Sequence, residues 1–118
     1  MKILIVDDDD GIRQFLRTSL ELDGYTVEEA PSGEKGLEAR AAFHPDLVIL
    51  DQMMPGLLGT EVAKKVRAEG FTGPILLFSA YLSPEVNTQA AELDLVPMSK
   101  VDTDAVFRVI RGYAAKLA

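Results

Sequence analysis

Three aspartates stand where they could share one piece of chemistry. Asp7 and Asp8 follow the apolar run Ile3–Val6, and Asp51 follows Leu47–Leu50. Four consecutive apolar residues read as a buried strand, and a strand that stops at an acid carries that acid to the rim of the sheet. In doubly wound α/β folds the rim holds the ligand crevice, where strand order reverses. Carboxylates gathered there repel one another and stay ionised only beside a cation. Hard oxygen donors in that number suit Mg²⁺, which keeps several of its waters. The chemistry implied is metal-assisted phosphoryl transfer, in which Asp51 attacks a phosphoryl donor and becomes an aspartyl phosphate. Asp8 and Asp51 are expected to hold the metal directly, with a backbone carbonyl from the following loop, and Asp7 to act through water. Ser79 follows the run Leu76–Phe78, and Lys100 follows a fifth, weaker run. A hydroxyl and an ammonium can hold two oxygens of a phosphoryl group while the metal holds a third.

Apolar runs and helical patterns alternate through the chain, as the positioning of these groups requires. Strands are predicted at Lys2–Val6, Tyr25–Glu29, Asp46–Leu50, Pro74–Phe78 and Leu95–Met98. Ile12, Phe15, Leu16, Ser19 and Leu20 trace one face of a first helix, capped by Asp9 or Asp10. Ser32 opens a second, with Leu37 and Ala41 inward, and His44-Pro45 ends it. Thr60 to Glu69 forms a third, closed by Gly70, and Pro84 opens a fourth through Val86 and Ala90. Ala105, Val106, Val109, Ile110, Tyr113 and Leu117 give the last its period. Five βα units with brief connections imply a doubly wound parallel sheet covered by helices on both faces.

Composition narrows the function. A length of 118 residues suits one domain, and 47% apolar with 26% charged residues is ordinary for a globular protein. The absence of cysteine excludes disulfides, thiolate metal sites and cysteine nucleophiles. A net charge of −7 argues against direct nucleic-acid or anionic-membrane binding. No stretch is apolar enough to span a bilayer, and Met1-Lys2-Ile3 opens straight into a strand. A cytoplasmic location is the default expectation.

Val6-Asp7-Asp8 with Arg13, Asp46 through Asp51, Met54-Pro55 with Gly59, Ser79-Ala80 and Lys100 together resemble the response-regulator receiver domain of two-component signalling, of the chemotaxis-regulator type. The resemblance covers the whole chain, in order and at the expected spacings. It implies a flavodoxin-like α/β fold, with a five-stranded parallel sheet of order 2-1-3-4-5 and five helices. Residues 1–118 are then a single receiver domain with no output domain in this chain. The resemblance also makes Asp51 the phosphoacceptor, charged by a partner histidine kinase or histidine phosphotransfer protein. Asp7 and Asp8 become the acidic pair at Mg²⁺, and Met53 supplies its backbone carbonyl. Ser79 becomes the switch hydroxyl and Lys100 the phosphate-pairing lysine. Phosphorylation would then switch the surface of the fourth helix, fifth strand and fifth helix toward a downstream protein target or a second copy.

Three departures from the family pattern stand out. Lys100 is followed by Val101 where proline is usual, Pro97 holds the place of the switch aromatic, and Leu93-Asp94 stand where a glycine is expected. Two rival readings exist. Val6-Asp7-Asp8-Asp9-Asp10-Gly11 also resembles the first motif of haloacid-dehalogenase-type phosphatases, with Asp8 as nucleophile and Asp10 as acid. No paired-acid strand follows Lys100, and Asp51 would then lack a role. A pseudo-receiver that binds without phosphorylation is disfavoured by the intact acids. His44, the only histidine, is expected at the surface, Met54 in the core, and Met53 and Tyr81 beside the site.

Overall fold

The structure is a computed structural model that describes residues 1–117. Strands β1 (Lys2–Val6), β2 (Thr26–Ala30), β3 (Leu47–Leu50), β4 (Ile75–Ser79) and β5 (Val96–Ser99) alternate with helices α1 (Asp10–Leu22), α2 (Gly33–Phe43), α3 (Gly59–Ala68), α4 (Pro84–Glu92) and α5 (Thr103–Leu117). The strands form one parallel sheet of order β2-β1-β3-β4-β5. Side chains alternate along each central strand between two apolar layers. Leu4, Val6, Val48, Leu50, Ile75 and Leu77 face α2, α3 and α4. Ile3, Ile5, Leu47, Ile49, Leu76 and Phe78 face α1 and α5. Both sheet faces are therefore buried, which is why the central strands read as unbroken apolar runs.

Apart from β1, each strand starts one residue later than the apolar pattern predicts, because backbone hydrogen bonds decide where pairing begins. The Tyr25 N–H goes back to the Leu20 carbonyl (3.1 Å) and the Leu95 N–H to the Ala90 carbonyl (2.8 Å), so both residues close a helix. Pro74 has no N–H to give. Ser79 consequently ends β4 within the strand.

Helix faces differ in three places. Leu16 and Leu20 are fully buried, but Phe15 is nearly half exposed and meets Phe107 of α5 edge-on, centroids 5.9 Å apart. Ala41 is exposed; α2 approaches the sheet through buried Gly33 and Gly36 instead, and a Cβ at Gly36 would lie 2.9 Å from both Val6 methyls. Leu117 is exposed, leaving Val106 and Ile110 as the buried residues of α5.

Where a glycine was expected after α4, Asp94 adopts φ 57°, a left-handed conformation that aspartate tolerates better than most residues. Arg67 secures that turn, donating to the carbonyls of Leu93 (2.9 Å), Asp94 (2.9 Å), Phe71 (3.0 Å) and Gly73 (2.6 Å). Every described peptide bond is trans, including that between Lys100 and Val101. Pro97 lies exposed on β5, an edge strand whose outer side needs no donor. Among the described residues no helix is long and apolar enough to cross a membrane.

Candidate functional site

The parallel pairing of β1 with β3, in register Val6 to Leu50, sets their carboxyl ends side by side. The pairing continues one step beyond the strands. The Asp51 N–H donates to the Val6 carbonyl at 2.9 Å, and the Asp7 N–H to the Ala30 carbonyl at 3.1 Å. Backbone bonds thus fix both acids. Asp7, Asp8 and Asp51 each offer a carboxylate oxygen, and these lie within 4.8 Å of one another. Asp7 is 2% and Asp51 6% exposed, whereas Asp8 stands open to solvent.

Octahedral Mg²⁺ holds its oxygens about 3–4 Å apart, a spacing that small side-chain rotations reach from this arrangement. The donor set is all oxygen and anionic, which suits a hard divalent cation. No other group of three or more acidic or histidine side chains gathers this way among the described residues.

Lys100 reaches into the cluster from the end of β5. Its Nζ lies 2.8 Å from Asp7 Oδ2 and 3.3 Å from Asp51 Oδ2, and its backbone N–H donates to the Ser79 carbonyl at 3.2 Å. Burial pushes the Asp7 carboxyl above its ordinary value, with the Asp51 charge adding to the rise, and the bonds from Lys100 and the Asp9 N–H recover only part. Burial pushes the Lys100 ammonium down, but the hydrogen bond and charge of Asp7, with those of Asp51, outweigh it and leave the group raised. Three acids against one lysine leave the cluster strongly attractive to a further cation.

Several contacts hold Asp7 in place. Its Oδ1 accepts from the Asp9 N–H at 2.9 Å, and its carbonyl accepts from Arg13 Nη1 at 2.7 Å. Arg13 also donates to Glu29 Oε1 (2.9 Å) and pairs with Asp10, while Arg17 reaches Glu29 Oε2 at 3.1 Å. Asp9 is the cap of α1, accepting from the Ile12 N–H at 3.0 Å. Asp10 turns to Arg13 and away from the acid cluster.

Ser79 is buried at the carboxyl end of β4, paired in register with Ser99 of β5, and its Oγ accepts from the Tyr81 N–H at 3.2 Å, leaving the hydroxyl proton free to donate. Met53 is 50% and Tyr81 67% exposed in the loops after β3 and β4, while Met54 is buried. His44 caps α2 at the amino ends of the strands, opposite the acids, exposed and left-handed (φ 53°).

One residue beside the site escaped the sequence reading. Gln52 is 3% exposed, and its amide joins Thr60 twice: Oε1 accepts from the Thr60 N–H at 2.8 Å and Nε2 donates to Thr60 Oγ1 at 3.2 Å. A polar residue after an acid looks like solvent-facing loop. The available clue was Leu58, which stands at the start of α3 and has no side chain able to cap it.

Residues 3–98 match the family model described as "Response regulator receiver domain". The response regulator MprA of Mycobacterium ulcerans is 46% identical over 94 residues, which is 80% of this chain and 40% of that protein. The chain therefore spans about 40% of the length of the curated relatives it matches. A CheY-like receiver domain protein from Methanospirillum hungatei superimposes with a TM-score of 0.91 at 26% identity, covering 98% of this chain and 94% of that one. The response regulator TrrA of Thermotoga maritima, solved in complex with Mg²⁺-BeF, gives a TM-score of 0.83 at 32% identity, covering 94% of this chain and 96% of that one.

Proposed function

The chain belongs to the response-regulator receiver-domain family of two-component systems, and from that premise we propose that it is the phosphoacceptor of a phosphorelay, charged on Asp51. The carrying observation is the convergence of Asp7, Asp8 and Asp51 on one point with Lys100 bridging two of them.

In this reading an Asp51 carboxylate oxygen attacks the phosphorus of a phosphohistidine on a histidine kinase or histidine phosphotransfer protein. The new O–P bond forms as the P–N bond breaks, and the electron pair returns to the departing imidazole. Asp7, Asp8, Asp51 and the Met53 carbonyl would hold Mg²⁺, which supplies charge neutralisation to the transferring group when bound. The Thermotoga relative was solved with Mg²⁺-BeF, which supports a divalent cation as the ligand in this reading. Lys100 exchanges its contact with Asp51 for a phosphoryl oxygen, and the free Ser79 proton is donated to another. Forming that bond draws Ser79 inward against the Tyr81 N–H it now accepts.

The phosphoryl group adds about −1.5 to −2 of charge and strong acceptors. That bias reaches the α4, β5 and α5 surface, which would then engage a downstream protein or a second copy. The relay is proposed to work in the cytoplasm, with no direct nucleic-acid or membrane contact by this chain. The phosphatase alternative is weakened because Asp10 is engaged with Arg13.

Intact mass after incubation with acetyl phosphate and Mg²⁺ tests the proposal. The parent should gain one phosphoryl group and Asp51→Asn none. A gain that survives Asp51→Asn but not Asp8→Asn would favour the phosphatase chemistry, and no gain in the parent would favour a pseudo-receiver.

A further inference from the structure

Helix α3 begins without a cap of its own. Leu58 holds the cap position and offers no side-chain acceptor; its N–H is taken by the Glu61 carboxylate at 2.8 Å. The first helical N–H groups still need acceptors, and a cap side chain normally serves the second or third. Here Gln52 serves two of them from across the loop. Its backbone carbonyl accepts from Gly59 N–H at 2.9 Å, and its side-chain Oε1 accepts from Thr60 N–H at 2.8 Å. Its Nε2 then closes on Thr60 Oγ1 at 3.2 Å. The approach is so close that a Cβ at Gly59 would sit 2.2 Å from the Asp51 carbonyl oxygen.

Met53 follows Gln52 directly. The loop from Asp51 to Gly59 is thus fastened at its base, between the acid of the site and the carbonyl assigned to the cation. We propose, resting on the receiver reading above, that Gln52 is a positioning residue for the divalent-cation site: borrowed as the cap of α3, it locks the backbone that carries the Met53 carbonyl. Asp51 is already set by its own bond to Val6. The carbonyl has no other anchor of that kind among the hydrogen bonds of the described residues. A backbone ligand costs little to order only when its loop is ordered beforehand. Groups that hydrogen-bond directly to metal ligands typically change affinity by about 10–100-fold when removed, and Gln52, acting through the adjoining backbone, belongs at the lower end of that range.

Titration calorimetry of Mg²⁺ alone, on the whole chain well below its melting temperature, reads the effect apart from any phosphorylation. Gln52→Leu and Thr60→Val should each weaken Mg²⁺ binding, Gln52→Leu by about tenfold. Thr60→Ser, which keeps the hydroxyl, should bind as the parent does. Amide exchange at Met53 and Met54 should speed up in Gln52→Leu. If Gln52→Leu or Thr60→Val binds Mg²⁺ with the parent's affinity while merely melting earlier, Gln52 is a structural cap and the proposal is overturned. If the parent itself shows no Mg²⁺ binding that Asp8→Asn abolishes, the receiver reading fails and takes this proposal with it.

Discussion

At the scale of single residues, the site is a balance of like charges, and its behaviour without a cation follows from that. Asp7 is buried against Asp51, and its carboxyl is raised above the ordinary value, so its charged form opposes folding at neutral pH. The sign follows: that cost is present above the folded-state value and fades as pH falls through it toward 3.8. Without Mg²⁺, Asp7→Asn should therefore melt a few degrees above the parent, even though Lys100 loses one partner. With saturating Mg²⁺ the order should reverse, because ligand at about 100 times its dissociation constant stabilises the parent by about 2.7 kcal/mol. Melting curves of both proteins in EDTA and in Mg²⁺ check the crossing. If Asp51 carries the proposed phosphoryl group, Met53 and Tyr81 bear on the lifetime of that acyl phosphate. Both are bulky, largely apolar and stand at the rim, two residues past Asp51 and Ser79. They should screen the phosphorus from water, so Met53→Asn with Tyr81→Glu should release phosphate several-fold faster than the parent after acetyl phosphate loading. Equal release would remove the screening argument.

At the scale of elements, the strands were legible because burial on both faces leaves a continuous apolar run, and a run that ends in an acid needs no tertiary knowledge to be noticed. The sheet order came with the family resemblance, since residues alone give alternation and not adjacency. Less legible was anything settled by a neighbour. Phe15 has the spacing of a core residue, yet it finds Phe107 at the margin of α1 and α5. Ala41 lost its place because Gly36 lets α2 sink onto Val6. Gln52 was invisible because its partner lies eight residues away. The joint between α1 and β2 is another contact of this kind. Burial pushes the Glu29 carboxyl up, but hydrogen bonds and charges from Arg13 and Arg17 outweigh it and leave it lowered. Its contribution is present above an unfolded value near 4.5 and is lost as pH falls through the folded one. Glu29→Gln should cost about 0.5–1 kcal/mol in urea melts at pH 7, since the pair is partly exposed, and less at pH 3.5. An equal loss at both would mean that packing carries the effect.

At the scale of the whole molecule, two apolar layers share a single sheet and cannot be lost separately. Leu4→Ala, on the side of α2 to α4, and Ile5→Ala, on the side of α1 and α5, should each cost about 2–5 kcal/mol. Each should leave one transition, with backbone and tyrosine circular dichroism coincident in urea. A second transition in either variant would show that the layers melt independently. The two flanks of the sheet carry a different consequence. On one side Pro97 breaks the row of donors in a four-residue strand; on the other, exposed Glu28 places charge along β2. Neither margin invites a foreign strand to zip on. Fibrous stacking through the sheet edges is thereby discouraged.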